Sequence, residues 1–81
     1  MRITILLFAR LRDVVGAARL ERDAAAGATV EDVWAALATE FPAAAPHRAA
    51  LSAAVNAEYA KFPAPVADGD EVAFLPPVSG G

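Results

Sequence analysis

Eighty-one residues with a formal net charge of −3 and no cysteine allow one small domain with one core. The missing cysteines exclude disulfides, thiolate metal sites and cysteine nucleophiles, and the single histidine, His47, cannot build a histidine-rich metal site or a Ser-His-Asp triad. An acidic chain also lacks the basic face that a nucleic-acid binder needs.

Much of the apolar content is alanine, so the core volume must come from the larger apolar residues. Met1 to Phe8, MRITILLF, alternates as a strand, with Ile3, Ile5 and Leu7 on one face and Thr4, Leu6 and Phe8 on the other. Both faces carry apolar residues, as in a central strand or one whose second face meets a partner. The apolar run from Ile3 to Ala9 is far too short to span a bilayer. Arg10 and Arg12 follow it with no small-residue cleavage site, so a cytoplasmic address and no membrane partner are expected.

Arg10 to Gly16 reads as a polar connection ending in glycine, and Arg19 to Asp23 as a charged edge strand antiparallel to the first. Thr29 is placed to cap a helix, with Asp32 in the capping-box position. Val30, Val33, Trp34, Leu37, Ala38 and Phe41 then form one apolar stripe, which Pro42 ends. Pro46 to Leu51 predicts a short second helix or turn, and Ser52 to Asn56 a small-residue strand. Asn56 is suited to begin a turn by bonding its own backbone. Tyr59 to Phe62 predicts a brief strand cut off by Pro63 and Pro65. Asp68-Gly69-Asp70 predicts a turn, and Glu71 to Leu75 the last strand. The fold class is α+β, a mixed sheet wrapped on one main helix with the first and last strands central.

Asp68, Asp70 and Glu71 lack the further ligands and spacing of a calcium loop, and His47 reads as an exposed loop residue. Arg10 and Arg12 are either solvated or dock an acidic partner. Phe8, Tyr59 and Leu75 alternate away from the face of Ile5, Val72 and Phe74; they are either scattered exposed residues or one binding patch. The ending Pro76-Pro77-Val78-Ser79-Gly80-Gly81 is either a frayed end or a stiffened handle for a functional Gly81 carboxylate.

Val55-Asn56, then DGDEVAF from Asp68 to Phe74, then PPVSGG from Pro76 to Gly81 closely resemble the small-subunit family of molybdopterin synthase. Leu7-Phe8-Ala9 with Arg12 resembles that family's first strand and loop. The resemblance runs the full length and is most specific from Asp68 to Gly81. Tyr59 stands where an aliphatic residue is expected, and Leu75 where an aromatic is common.

The resemblance implies a ubiquitin-like β-grasp domain over residues 1–75 and a flexible functional tail over 76–81. It implies a sulfur carrier that is no enzyme by itself, catalysis residing in the large synthase subunit. An adenylating enzyme of the E1 type would use ATP to adenylate Gly81, and a sulfur donor system would convert the acyl adenylate to a thiocarboxylate (1-thioglycine). The tail, Pro76 through Gly80, would thread into the large subunit and deliver sulfur to cyclic pyranopterin monophosphate. Two such transfers make the dithiolene of molybdopterin for the molybdenum cofactor. Phe8, Arg12, Tyr59 and Leu75 would bind the partners, in a heterotetramer with two large subunits. No metal or resident cofactor is implied. The alternatives are a carrier for thiamin, cysteine or tRNA thiolation, and a ubiquitin-like tagging or binding module joined to target lysines through Gly81.

Overall fold

The stripe on the long helix and the apolar runs of the first and last strands need one another for cover. In the computed structural model, which describes residues 1–77, they meet in two layers. In chain order the elements are β1 (Arg2–Leu7), α1 (Ala9–Val15), β2 (Arg19–Asp23), α2 (Val30–Glu40), a 3-10 segment (Pro42–Ala50), β3 (Ser52–Val55), β4 (Glu58–Ala60) and β5 (Glu71–Leu75). The five strands form one mixed sheet in the order β2-β1-β5-β3-β4. β1 and β5 run parallel, Ile5 opposite Val72 and Leu7 opposite Phe74, and the other pairs are antiparallel.

Ile3, Ile5 and Leu7 from β1 and Val72 and Phe74 from β5 are buried with Val30, Val33, Trp34 and Leu37 of α2. Each such side chain contributes roughly 1.5–3 kcal/mol on full burial. The Phe74 ring sits in the middle of this layer, edge-on to Trp34 at 5.0 Å and stacked on Phe62 at 6.3 Å between centroids. The expected two-layer arrangement, with the first and last strands adjacent, is the one observed. In the terms of the family it resembles, this is a ubiquitin-like β-grasp.

Three local expectations change. The stretch after Phe8 is no plain connection: it forms α1, which buries Leu11 and ends at Gly16 with φ 84°. One anchor in seven residues gives too little periodicity to read. The 3-10 segment starts at Pro42, four residues before the expected turn at Pro46, and is pinned by buried Ala44. His47 lies on it half-buried rather than exposed in a loop. β4 ends at Ala60, because Phe62 leaves the sheet to pack on Phe74.

Turn chemistry accounts for the acidic cluster. Asp70 accepts the Ala67 amide at 2.7 Å and the Asn56 side-chain amide at 2.9 Å, while Asp68 accepts the Arg2 amide at 2.6 Å. Gly69 takes φ 85° between them. Asn56 does not bond its own backbone: its Oδ1 accepts from the Glu71 amide at 2.9 Å, locking the β3–β4 hairpin to the start of β5.

The N-terminus of α2 is closed in two ways. Thr29 and Asp32 form the expected capping box, at 3.2 and 2.9 Å. The Val30 and Glu31 amides, which also lack helical partners, donate to the Ala64 and Phe62 carbonyls of the crossing loop at 2.9 Å each. Arg48 fastens the same loop. Its guanidinium lies 3.5 Å from the Phe62 ring centroid and grips Glu31 through two bonds of 3.0 and 2.7 Å. Arg22 pairs with Glu40 in the same forked way at the other end of α2.

These hydrogen bonds hold the Glu31 and Glu40 carboxyls below their ordinary pKa of 4.5. A carboxyl with a depressed pKa in the folded state adds stability at pH values above the unfolded value and loses it as pH falls through the folded one. The thermal midpoint is therefore expected to fall as pH drops below about 4.5, and a Glu31→Gln, Glu40→Gln double variant to show a shallower fall. Circular dichroism melts across pH check this; parallel curves for the two proteins would contradict it.

Candidate functional site

α1, α2 and the 3-10 segment all bury their apolar residues in the cluster on one face of the sheet. The opposite face is built by the even positions of β1 and β2-to-β5 register. One rung runs Arg19, Leu6, Ala73, Ala54 and Tyr59 across all five strands. The next rung toward the end of β5 pairs Leu75 with Ser52. Phe8 follows Leu7 with extended backbone, φ −129° and ψ 154°, so it keeps the alternation of Thr4 and Leu6 and belongs to this face. Ala9 then turns the chain out of the sheet at φ 52°, a conformation that costs a non-glycine residue roughly 1–2 kcal/mol.

The face therefore unites Phe8, Tyr59 and Leu75, which alternation alone left as scattered residues or a patch. Phe8 is 43% exposed and Tyr59 82%, the two large apolar side chains that stay exposed among the described residues. Leu75 is half-buried. Leu6, Ala54 and Ala73 lie between them; the small residues leave a low floor that large ones rise above. Sequence reasoning passed over Ala54 and Ala73, whose place on the shared rung depends on strand pairing. Arg12 is not on the sheet. It lies exposed on α1, one turn beyond Phe8, its amide donating to the Phe8 carbonyl at 3.5 Å.

Leu75 is followed by half-buried Pro76 and exposed Pro77, so the chain leaves the centre of the sheet at the end where Phe8 lies. Val78, Ser79, Gly80 and Gly81 lie outside the described residues. A cavity of about 500 Å³ opens on the helical side, between α2 and the loop after β2, lined by Ile3, Ile5, Ala28, Val33 and Leu37. Its lining includes none of Phe8, Tyr59, Leu75 and the residues of the Leu6 rung. The chemistry this arrangement offers is recognition: an apolar face, a cation on its flank and a chain end leaving beside it.

A family model described as the ThiS family matches residues 5–81. The Escherichia coli protein named molybdopterin synthase sulfur carrier subunit is 43% identical over 81 residues, covering 98% of this chain and 99% of that protein. The Arabidopsis thaliana protein of the same name is 37% identical over 79 residues, covering 98% of this chain and 82% of that protein. Among solved structures, the small archaeal modifier protein 1 of Haloferax volcanii superposes with a TM-score of 0.84 at 30% identity, over 95% of this chain and 98% of that one.

Exposed apolar side chains such as these contribute little to stability. Phe8→Ser and Tyr59→Ser are expected to change unfolding free energy by no more than roughly 0.5 kcal/mol. Leu7→Ala, one residue from Phe8 but 1% exposed, is expected to cost about 2–5 kcal/mol. Urea unfolding followed by Trp34 fluorescence compares them; equal losses would mean that Phe8 belongs to the core.

Proposed function

The chain belongs to the ThiS family, and from that premise we propose that it is the sulfur carrier subunit of a molybdopterin synthase. Full-length similarity to relatives that bear this name carries the reading. In this reading residues 1–75 are the docking domain and 76–81 the working tail. The Gly81 carboxylate, ionised at neutral pH, attacks the α-phosphate of ATP on an adenylating partner, and pyrophosphate leaves. A sulfur nucleophile from the donor system then displaces AMP from the acyl carbon, giving the thiocarboxylate. The large subunit takes up the tail and directs the sulfur to cyclic pyranopterin monophosphate, two deliveries completing the dithiolene.

The residues suit these roles. Gly80 and Gly81 carry no Cβ, so they fit narrow channels in two different enzymes. Pro76 and Pro77 reduce the conformational freedom lost on threading. Phe8, Tyr59 and Leu75 supply the apolar surface that both partners cover in turn, with Arg12 at its rim. The exit of the tail beside this face lets one docking event place the reactive end. ATP enters only as the activating partner's substrate.

A second reading is a protein modifier, favoured by the similarity to the archaeal modifier protein. It uses the same activated glycine but ends in an amide with a lysine of another protein.

Reconstitution with a large synthase subunit, the adenylating enzyme, ATP, a sulfide source and the pterin precursor separates the two. The full chain is expected to support dithiolene formation. Deletion of Gly81 is expected to abolish it, and Phe8→Glu to reduce it through weaker docking. Dithiolene formation by the truncated chain would end the carrier reading.

A further inference from the structure

The cations of this acidic chain are unevenly committed. Arg2 pairs with Asp23, Arg22 with Glu40, Arg48 with Glu31, and Arg19 lies 3.7 Å from Glu71. Arg10, Arg12 and Lys61 have no ion pair among the described residues. These three lie at one end of the sheet. Arg10 and Arg12 are on α1 directly after Phe8. Lys61 directly follows Ala60, the last residue of β4, whose partner Ala53 is next to Ser52, and Ser52 pairs with Leu75. Lys61 thus flanks the rung from which the tail leaves on one side, and Arg10 and Arg12 flank it on the other. Asp23, Asp68 and Asp70 lie at the far end, beside Arg2 and the start of β5. The net charge of −3 conceals this segregation along the strands.

We propose that Arg10 and Lys61 bracket the tail-exit rung and select a protein partner that carries carboxylates on both flanks of the site receiving Phe8, Tyr59 and Leu75. This rests on the docking face of the preceding section and specifies the chemistry of what docks there. Arg10 and Lys61 are exposed and form no ion pair among the described residues. Complementary charge raises the rate of encounter and fixes orientation more than it lengthens residence. The acidic far end would be repelled by the same partner, so the tail end would lead.

The test is stopped-flow association of the full chain with the large synthase subunit from the same cells, over a range of salt. Arg10→Glu with Lys61→Glu is expected to lower the association rate at least about 10-fold at low salt and to flatten its salt dependence. Arg2→Glu, a single charge reversal at the far end, is expected to leave both within twofold. Should the double reversal disturb the near-ultraviolet signal of Trp34, Arg10→Gln with Lys61→Gln replaces it, and a smaller drop in the same direction is expected. An unchanged rate and salt slope would overturn the bracket. Phe8→Glu in the same assay separates the two ideas: if it weakens binding while the reversals do not, the docking face stands and the bracket falls. If Phe8→Glu also binds normally, the docking reading itself falls. ATP or pyrophosphate binding to the chain alone, lost in the double reversal, would assign the cations to an anionic ligand and overturn the acidic partner.

Discussion

The parallel ladder between β1 and β5, from Thr4 opposite Glu71 to Leu7 opposite Phe74, joins the two ends of the chain at the middle of the sheet. A parallel pair needs a crossover of a dozen residues or more; here nearly all the remaining chain forms it. The crossover includes α2, whose apolar stripe lies over the pair and meets Phe74 through Trp34. Because the strands run the same way, Phe8 and Leu75 emerge at the same end, one entering α1 and the other entering Pro76-Pro77. The position of the exposed face beside the tail is thus a consequence of strand direction. A carrier needs that adjacency, since recognition and delivery then occur at one place.

The two faces of the sheet divide the work. The inner face holds large side chains and the three helical elements. The loop 61–66 is drawn to it by the Phe62 ring, by carbonyls that satisfy the start of α2, and by Arg48 clamped to Glu31. The outer face has small residues at its centre and charges paired along its length, Arg2 with Asp23 at the far end and Arg19, on the Leu6 rung, near Glu71. Paired charges discourage burial of that end against another protein. The apolar end near the tail is the part of this face proposed for docking.

Much of this was legible from residues. The α2 stripe, its Thr29–Asp32 cap, the alternation of β1 and β5 and the Asp68-Gly69-Asp70 turn are local signals, and each appears where its pattern places it. α1 was not legible, because Leu11 is its one fully buried anchor and a seven-residue helix shows too little period. The boundary of β4 was misread because Phe62, apolar and following Tyr59, looks like a strand residue until Phe74 is there to receive it. For the candidate site, alternation identified the side of the sheet for Phe8 and Leu75. That Tyr59 shares a rung with Leu6, and that Lys61 falls beside the rung of Leu75, depends on register between distant segments. Ala54 and Ala73 carry no local mark of their role.

In the proposed function Gly81 carries sulfur. Intact-mass and C-terminal peptide analysis of the chain isolated from its own cells tests it most directly. The proposed function predicts a fraction in which one oxygen of the Gly81 carboxylate is replaced by sulfur, captured by a thiol-alkylating reagent in this cysteine-free chain and absent from cells lacking the adenylating enzyme. A chain found solely with an unmodified carboxylate, or joined through Gly81 to lysines of other proteins, would contradict it.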